Sequence, residues 1–231
     1  MKSTGKVGSI RYTLLTSRAN RRITIRVGPD GILAIRAPRR VSRRVIEDLI
    51  TEHREHLLNR IDEEVRDAHT YEDGDRFPYA GGMVTLQLRT GNDYRAYIED
   101  DLLVVSARNI QDKGRILHAI KTLYRAEARR RIGPLVEQWS RTLGVSAPSF
   151  TIRDSKKRWG SCSKEGRLNF SLRSQALGEE ELSYLVLHEV AHLVHFNHSG
   201  EFKALLQTHM SDYKIRQKRM YAMQRASQLI Y

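Results

Sequence analysis

Residues 181–202 read ELSYLVLHEVAHLVHFNHSGEF, and the spacing of the four histidines decides how the rest of the chain is read. His188 and His192 are four residues apart, so on a helix both imidazoles leave from one face and can meet a single ion. Glu189 lies about 100° around the helix from His188, so it can flank that ion without being forced onto it. This is the H-E-x-x-H arrangement of zinc hydrolases, in which the glutamate acts on a metal-activated water. The carboxylates Glu179, Glu180 and Glu181 suit a first helical turn, and a helix is predicted from about 179 to 196.

A catalytic zinc takes three protein ligands and keeps one position open. His198 is the expected third ligand, because it follows His192 by six residues as the last His of H-E-x-x-H-x-x-G-x-x-H does, with His195 where that pattern has Gly. Glu201 and His195 are the alternatives. Asn197 or Gly200 is expected to adopt a left-handed conformation that returns His198 to the ion, and Ser199 to cap the next helix. The competing reading of the cluster is a polar helix face that binds no metal.

At 231 residues and 40% apolar content, the chain can bury one large core or two modest ones. The first residues lack the apolar core of a signal peptide, and no apolar run reaches the roughly 18 residues of a membrane span. A soluble, cytoplasmic protein that does not engage a membrane is expected. The single cysteine, Cys162, has no intramolecular partner for a disulfide. The net charge of +13 divides as +7 over residues 1–66, +1 over 67–144 and +5 over 145–231. The densest stretch, RAPRRVSRR, holds Arg36, Arg39, Arg40, Arg43 and Arg44. Such a surface can attract nucleic acid or nucleotides, or be simply a solvated face.

The fold class expected is α+β: antiparallel strands with helices in the N-terminal part, and a small sheet with the active-site helix in a C-terminal zincin-like domain. Three regions follow: 1–68, a basic strand and helix region; 69–110, a linker and second β region; and 111–231, helical and catalytic. Three antiparallel strands are predicted at 10–15, 21–27 and 31–37, with Gly28-Pro29-Asp30-Gly31 as a turn. Ser42 then caps a helix running to about residue 67. Residues 69–82 read as linker, strands resume at 83–89, 94–99 and 102–107, and a helix spans 112–143 with Gly133-Pro134 kinking or interrupting it. DGILAIRA and DDLLVVSA, 70 residues apart, hint at a duplication. Two short strands are expected within 149–172, and helices at 199–210 and 212–229.

RWGSCSKEGRLNFSL (158–172) followed by YLVLHEVAHLVHFNHSGEF (184–202) resembles the DUF45 or YgjP-like metallopeptidase family, relatives of SprT-like and M48-type zincins. RRITIRVGPDGILAIRAPRRVS (21–42) resembles that family's opening strands. Two positions depart from it: Lys203 stands where the family usually has Trp after Phe202, and Leu172 where it often has Trp. The resemblance implies zinc at His188, His192 and His198, with Glu189 as catalytic base, and places Arg158, Trp159, Gly160 and Ser161 near the substrate. The expected function is zinc-dependent hydrolysis of peptide bonds, with Tyr213, Arg158 or backbone N–H groups as candidates to stabilise the oxyanion. The alternatives are a metal-dependent phosphohydrolase of the nucleotide pyrophosphatase type, a nucleic-acid-recruited protease, or a module with a structural metal.

Overall fold

The computed structural model describes residues 2–28, 30–66, 69–146, 149–155 and 158–226. The chain divides into two compact units, Met1–Ala68 and His69–Tyr231.

The first unit is a four-stranded sheet with two helices. β1 (Lys2–Val7), β2 (Ile10–Ser17), β3 (Thr24–Val27) and β4 (Leu33–Pro38) lie in the order β1-β2-β4-β3. The expectation of three antiparallel strands is corrected here. β1 pairs with β2 and β3 with β4 antiparallel, but the central pair, β2 and β4, is parallel. Burial explains the order: β2 and β4 each bury a full alternate face, Ile10, Tyr12 and Leu14 with Leu33, Ile35 and Ala37, whereas β1 and β3 have no fully buried residue. β1, with the polar sequence KSTGKV, carries no hydrophobic signal to announce it.

The expected single helix is two, α1 (Arg43–Glu52) and α2 (Arg54–Arg66), broken at His53. Ser42 caps α1 by accepting from Val45 N at 3.4 Å, and Ile46 and Ile50 close the core over the sheet. Pro29 lies outside the described residues; Gly31 has φ 70° and its N–H bonds Gly28 O at 2.9 Å, as the turn requires. The five arginines of 36–44 are exposed. Arg43 is engaged with Glu47 at 2.8 Å and over the Tyr12 ring.

The second unit repeats the first sheet's plan. β5 (Arg76–Tyr79), β6 (Gly82–Thr90), β7 (Arg95–Glu99) and β8 (Leu102–Ala107) run in the order β5-β6-β8-β7, again with a parallel central pair. The two stretches that hinted at duplication are β4 and β8, the equivalent strands of the two sheets. The stretch expected as linker holds β5, whose Phe77 and Pro78 are buried. No unit boundary falls near 110, because β7 and β8 pack against the long helix α3 (Lys113–Thr142).

α3 buries Ile116, Ile120, Tyr124, Ala128, Ile132, Val136 and Trp139 along one stripe. It runs through Pro134 without interruption, since buried Ile132 and Val136 hold the helix on either side. A second sheet follows, β9 (Thr151–Arg153), β10 (Gly160–Cys162) and β11 (Leu168–Ser171), in the order β10-β11-β9. A 3-10 turn at Leu172–Ala176 then leads to α4 (Glu179–Ala191), α5 (Gly200–His209) and α6 (Tyr213–Ala226). No helix among the described residues is long and apolar enough to cross a membrane.

The turn between β5 and β6 fixes the start of α4. Ala80 N and Gly81 N donate to Gln175 O and Ala176 O at 2.8 and 2.9 Å. Gly81 has φ 86°, and a Cβ there would meet Gly178 Cα at 2.9 Å. Gly81→Ala is therefore expected to lose about 2–3 kcal/mol, from the left-handed backbone and a collision with main chain that cannot rotate away. A urea titration of the variant checks it, with a lowered midpoint at unchanged slope as the expected outcome.

Candidate metal centre

α4 is buried on nearly every side, so its position is set by the core rather than by solvent. Arg131 of α3 ties down its first turn, bonding Glu179 at 2.9 Å and the carbonyls of Gln175 and Leu177. Further along, Trp139 Nε1 donates to Ser183 Oγ at 3.2 Å.

The helix stops at Ala191, not at 196, with His192 as its C-cap. The next turn tightens, Leu193 N bonding Val190 O at 2.9 Å and Val194 N bonding Ala191 O at 3.0 Å. Val194 and Phe196 are exposed and give a further helical turn nothing to pack against. The expected left-handed residue at Asn197 or Gly200 is absent: neither has positive φ. Ser199 N bonds Asn197 O at 2.8 Å, and Ser199 Oγ caps α5 at Phe202 N.

This turn brings His198 back to α4. One ligand atom from each of His188, His192 and His198 lies within 4.8 Å of the others, and the Nε2 atoms of His188 and His198 are 3.1 Å apart. The opposite ring nitrogens are held. His192 Nδ1 lies 3.2 Å from the carbonyl of His195, and His188 Nδ1 lies 3.4 Å from the Tyr184 hydroxyl. A ring that donates from Nδ1 presents the Nε2 lone pair, the state a metal needs. Burial, and then the neighbouring His192 and His198, push His188 down to about 3; burial also lowers His192. Both are neutral donors at pH 7. Three imidazoles whose nitrogens converge on one point are a donor set that suits a zinc ion.

Glu189 faces the same space. It is 5% exposed, and its Oε2 has no hydrogen-bond partner among the described residues. Burial raises its carboxyl to about 8, opposed by Arg158. Gly160 of β10 lies against it: a Cβ on Gly160 would come within 2.5 Å of Glu189 Oε1. Only a residue without a side chain lets the strand approach the carboxylate so closely.

The structure thus brings His188, Glu189, His192 and His198 together. Arg158, Trp159, Gly160 and Ser161 border the same cleft, a space of about 1240 Å³. Trp159 also belongs to the core, with the buried Arg173 guanidinium 4.9 Å from its ring centre. Cys162 is half-buried, and burial together with Glu189 raises its thiol, which keeps it protonated. His195 contributes a backbone carbonyl to the cluster, while Glu201 is exposed on the first turn of α5.

Sequence reasoning gave no role to two groups. Phe202 is buried beneath the cluster, its ring centre 4.6–5.1 Å from those of all three histidines. Tyr184 stands one helical turn before His188, its hydroxyl 3.4 Å from His188 Nδ1. The spacing Tyr184, His188, His192 could have found the second; the first depends on how α5 folds back.

The family model described as YgjP-like, metallopeptidase domain, matches residues 21–223. Among solved structures, the metallopeptidase zymogen abylysin of Pyrococcus abyssi is similar, at 27% identity and a TM-score of 0.37, over 39% of this chain and 92% of its own. No curated protein matches. With a family match spanning most of its length, this chain belongs to the YgjP-like metallopeptidases.

Proposed function

We propose that this chain is a zinc-dependent endopeptidase in which His188, His192 and His198 hold the metal and Glu189 is the general base. The convergence of three imidazoles beside the buried Glu189 carboxylate, whose Oε2 has no hydrogen-bond partner among the described residues, carries the reading. Bound zinc would supply a Lewis-acid charge that acidifies water and polarises a carbonyl. Glu189 takes the water's proton on its carboxylate and returns it to the leaving amine. Tyr213, whose buried ring stacks on Tyr184 and which borders the cleft, and Arg158 are candidates to steady the oxyanion.

β10 is the substrate rail. It is an edge strand among the described residues, paired only with β11. Trp159 O accepts from Ser171 N, and Ser163 N donates to Arg167 O. Antiparallel alternation then turns the amide and carbonyl of Gly160 and Cys162 towards the open edge, where an extended peptide can add as a further strand. This geometry favours a polypeptide over a phosphate ester.

The test is metal content and hydrolysis measured together. The purified protein is expected to hold about one zinc per chain and to cleave an unstructured protein internally. A chelator should abolish cleavage, and one equivalent of zinc should restore it. Absence of stoichiometric metal would sink the proposal, and hydrolysis of nucleoside triphosphates without proteolysis would favour the phosphohydrolase.

A further inference from the structure

Apart from Glu189, the charged side chains lining the cleft beside the histidines are cations. They are Arg158, Lys203 and Lys214, and no other aspartate or glutamate borders it among the described residues. All three cations are exposed, and none makes an ion pair among the described residues. Other basic residues of the same unit are engaged by carboxylates, Arg131 by Glu179, Arg219 by Glu180 and Lys121 by Asp154. Charges left unpaired in a concave site are the ones available to a ligand, and low-dielectric walls strengthen their field there.

Their placement gives the pattern a direction. Arg158 lies two residues before β10, so it stands on the strand wall. Lys203 follows Phe202, the ring beneath the histidines, and Lys214 lies on the first turn of α6, so these two stand on the helical wall. Glu189, the one carboxylate of the cleft among the described residues, is only 5% exposed, whereas the three cations stand at the surface.

We propose that the cleft selects acidic polypeptide segments, with Arg158, Lys203 and Lys214 pairing with aspartate or glutamate side chains that flank the scissile bond. The inference rests on the peptidase reading and names the substrate class for it. The open edge of β10 favours a polypeptide over a nucleic acid, because backbone amides and carbonyls spaced as a strand recognise a peptide backbone. Lys203 and Lys214 are specificity residues, not catalytic ones.

The experiment uses the full chain carrying Glu189→Gln, loaded with zinc, and three fluorescent peptides of one sequence whose flanking positions are Glu, Gln or Lys. Fluorescence anisotropy is expected to rank them Glu, then Gln, then Lys, with about tenfold between the first two at low salt and less as salt is raised. Adding Lys203→Glu and Lys214→Glu, both exposed positions, should reverse the ranking while leaving the circular dichroism unchanged. Equal binding of the three peptides, no binding of any, or an acidic preference that survives both charge reversals would overturn the inference. So would a single-stranded oligonucleotide of equal charge that binds more tightly than the acidic peptide. Failure of the peptidase reading has a separate signature: the wild type cleaves none of the peptides, whatever their order of binding.

Discussion

Replacing Glu189 with Gln is expected to lower proteolysis by about 10²–10⁴-fold while leaving zinc bound. The amide keeps the size of the carboxylate but cannot accept a proton from water. Because none of the three proposed ligands is changed, metal content should stay near one per chain. The packing against Gly160 is kept as well, since the side chain that a Gly160 Cβ would meet is isosteric. Stability should not fall: removing a buried carboxyl raised to about 8 removes a desolvation cost. A variant that loses metal together with activity would show that Glu189 is a ligand, and a variant that retains full activity would end its role as base.

The second large effect separates the histidines. His198→Ala is expected to weaken zinc binding by roughly sixtyfold to several hundredfold, and His195→Ala by less than about threefold. Zinc sites with four protein ligands bind with about 10–16 kcal/mol, so one ligand accounts for about 2.5–4 kcal/mol, which is that factor in affinity. His195 differs because the cluster uses its main-chain carbonyl, which receives the Nδ1 side of His192 and survives truncation of the side chain. Competition with a chromogenic chelator measures both. Equal losses for the two variants would mean that His195 enters the site through its ring.

How much of this was legible in the sequence depended on how local each feature is. The facing of His188, Glu189 and His192 follows from helical spacing, and the cap at Ser199 from its side chain alone. The return of His198 was anticipated, but its means was not. The expected left-handed Asn197 or Gly200 gives way to a helix that tightens and stops at Ala191, because Val194 and Phe196 have no core to bury in. Sheet order was less legible. Which strand lies beside which is decided by the two faces that need most burial, those of β2 and β4, and their parallel pairing joins residues distant in sequence. Phe202 beneath the histidines and Arg173 over Trp159 likewise depend on chain segments meeting only in the folded state.

The proposed ligands span only residues 188 to 198, whereas Gly160 and Glu189 must meet across the intervening strand and 3-10 turn. Closing the shorter loop costs less chain entropy and belongs to the contacts that form early in folding. Metal capture and catalytic competence are thus separable events in the life of the chain. During refolding in the presence of zinc, metal uptake should run ahead of the recovery of proteolysis, and simultaneous recovery would show the two to be one cooperative step. A nascent or partly unfolded molecule would hold its cofactor before the strand carrying Gly160 has docked, and so be loaded before it is able to cut.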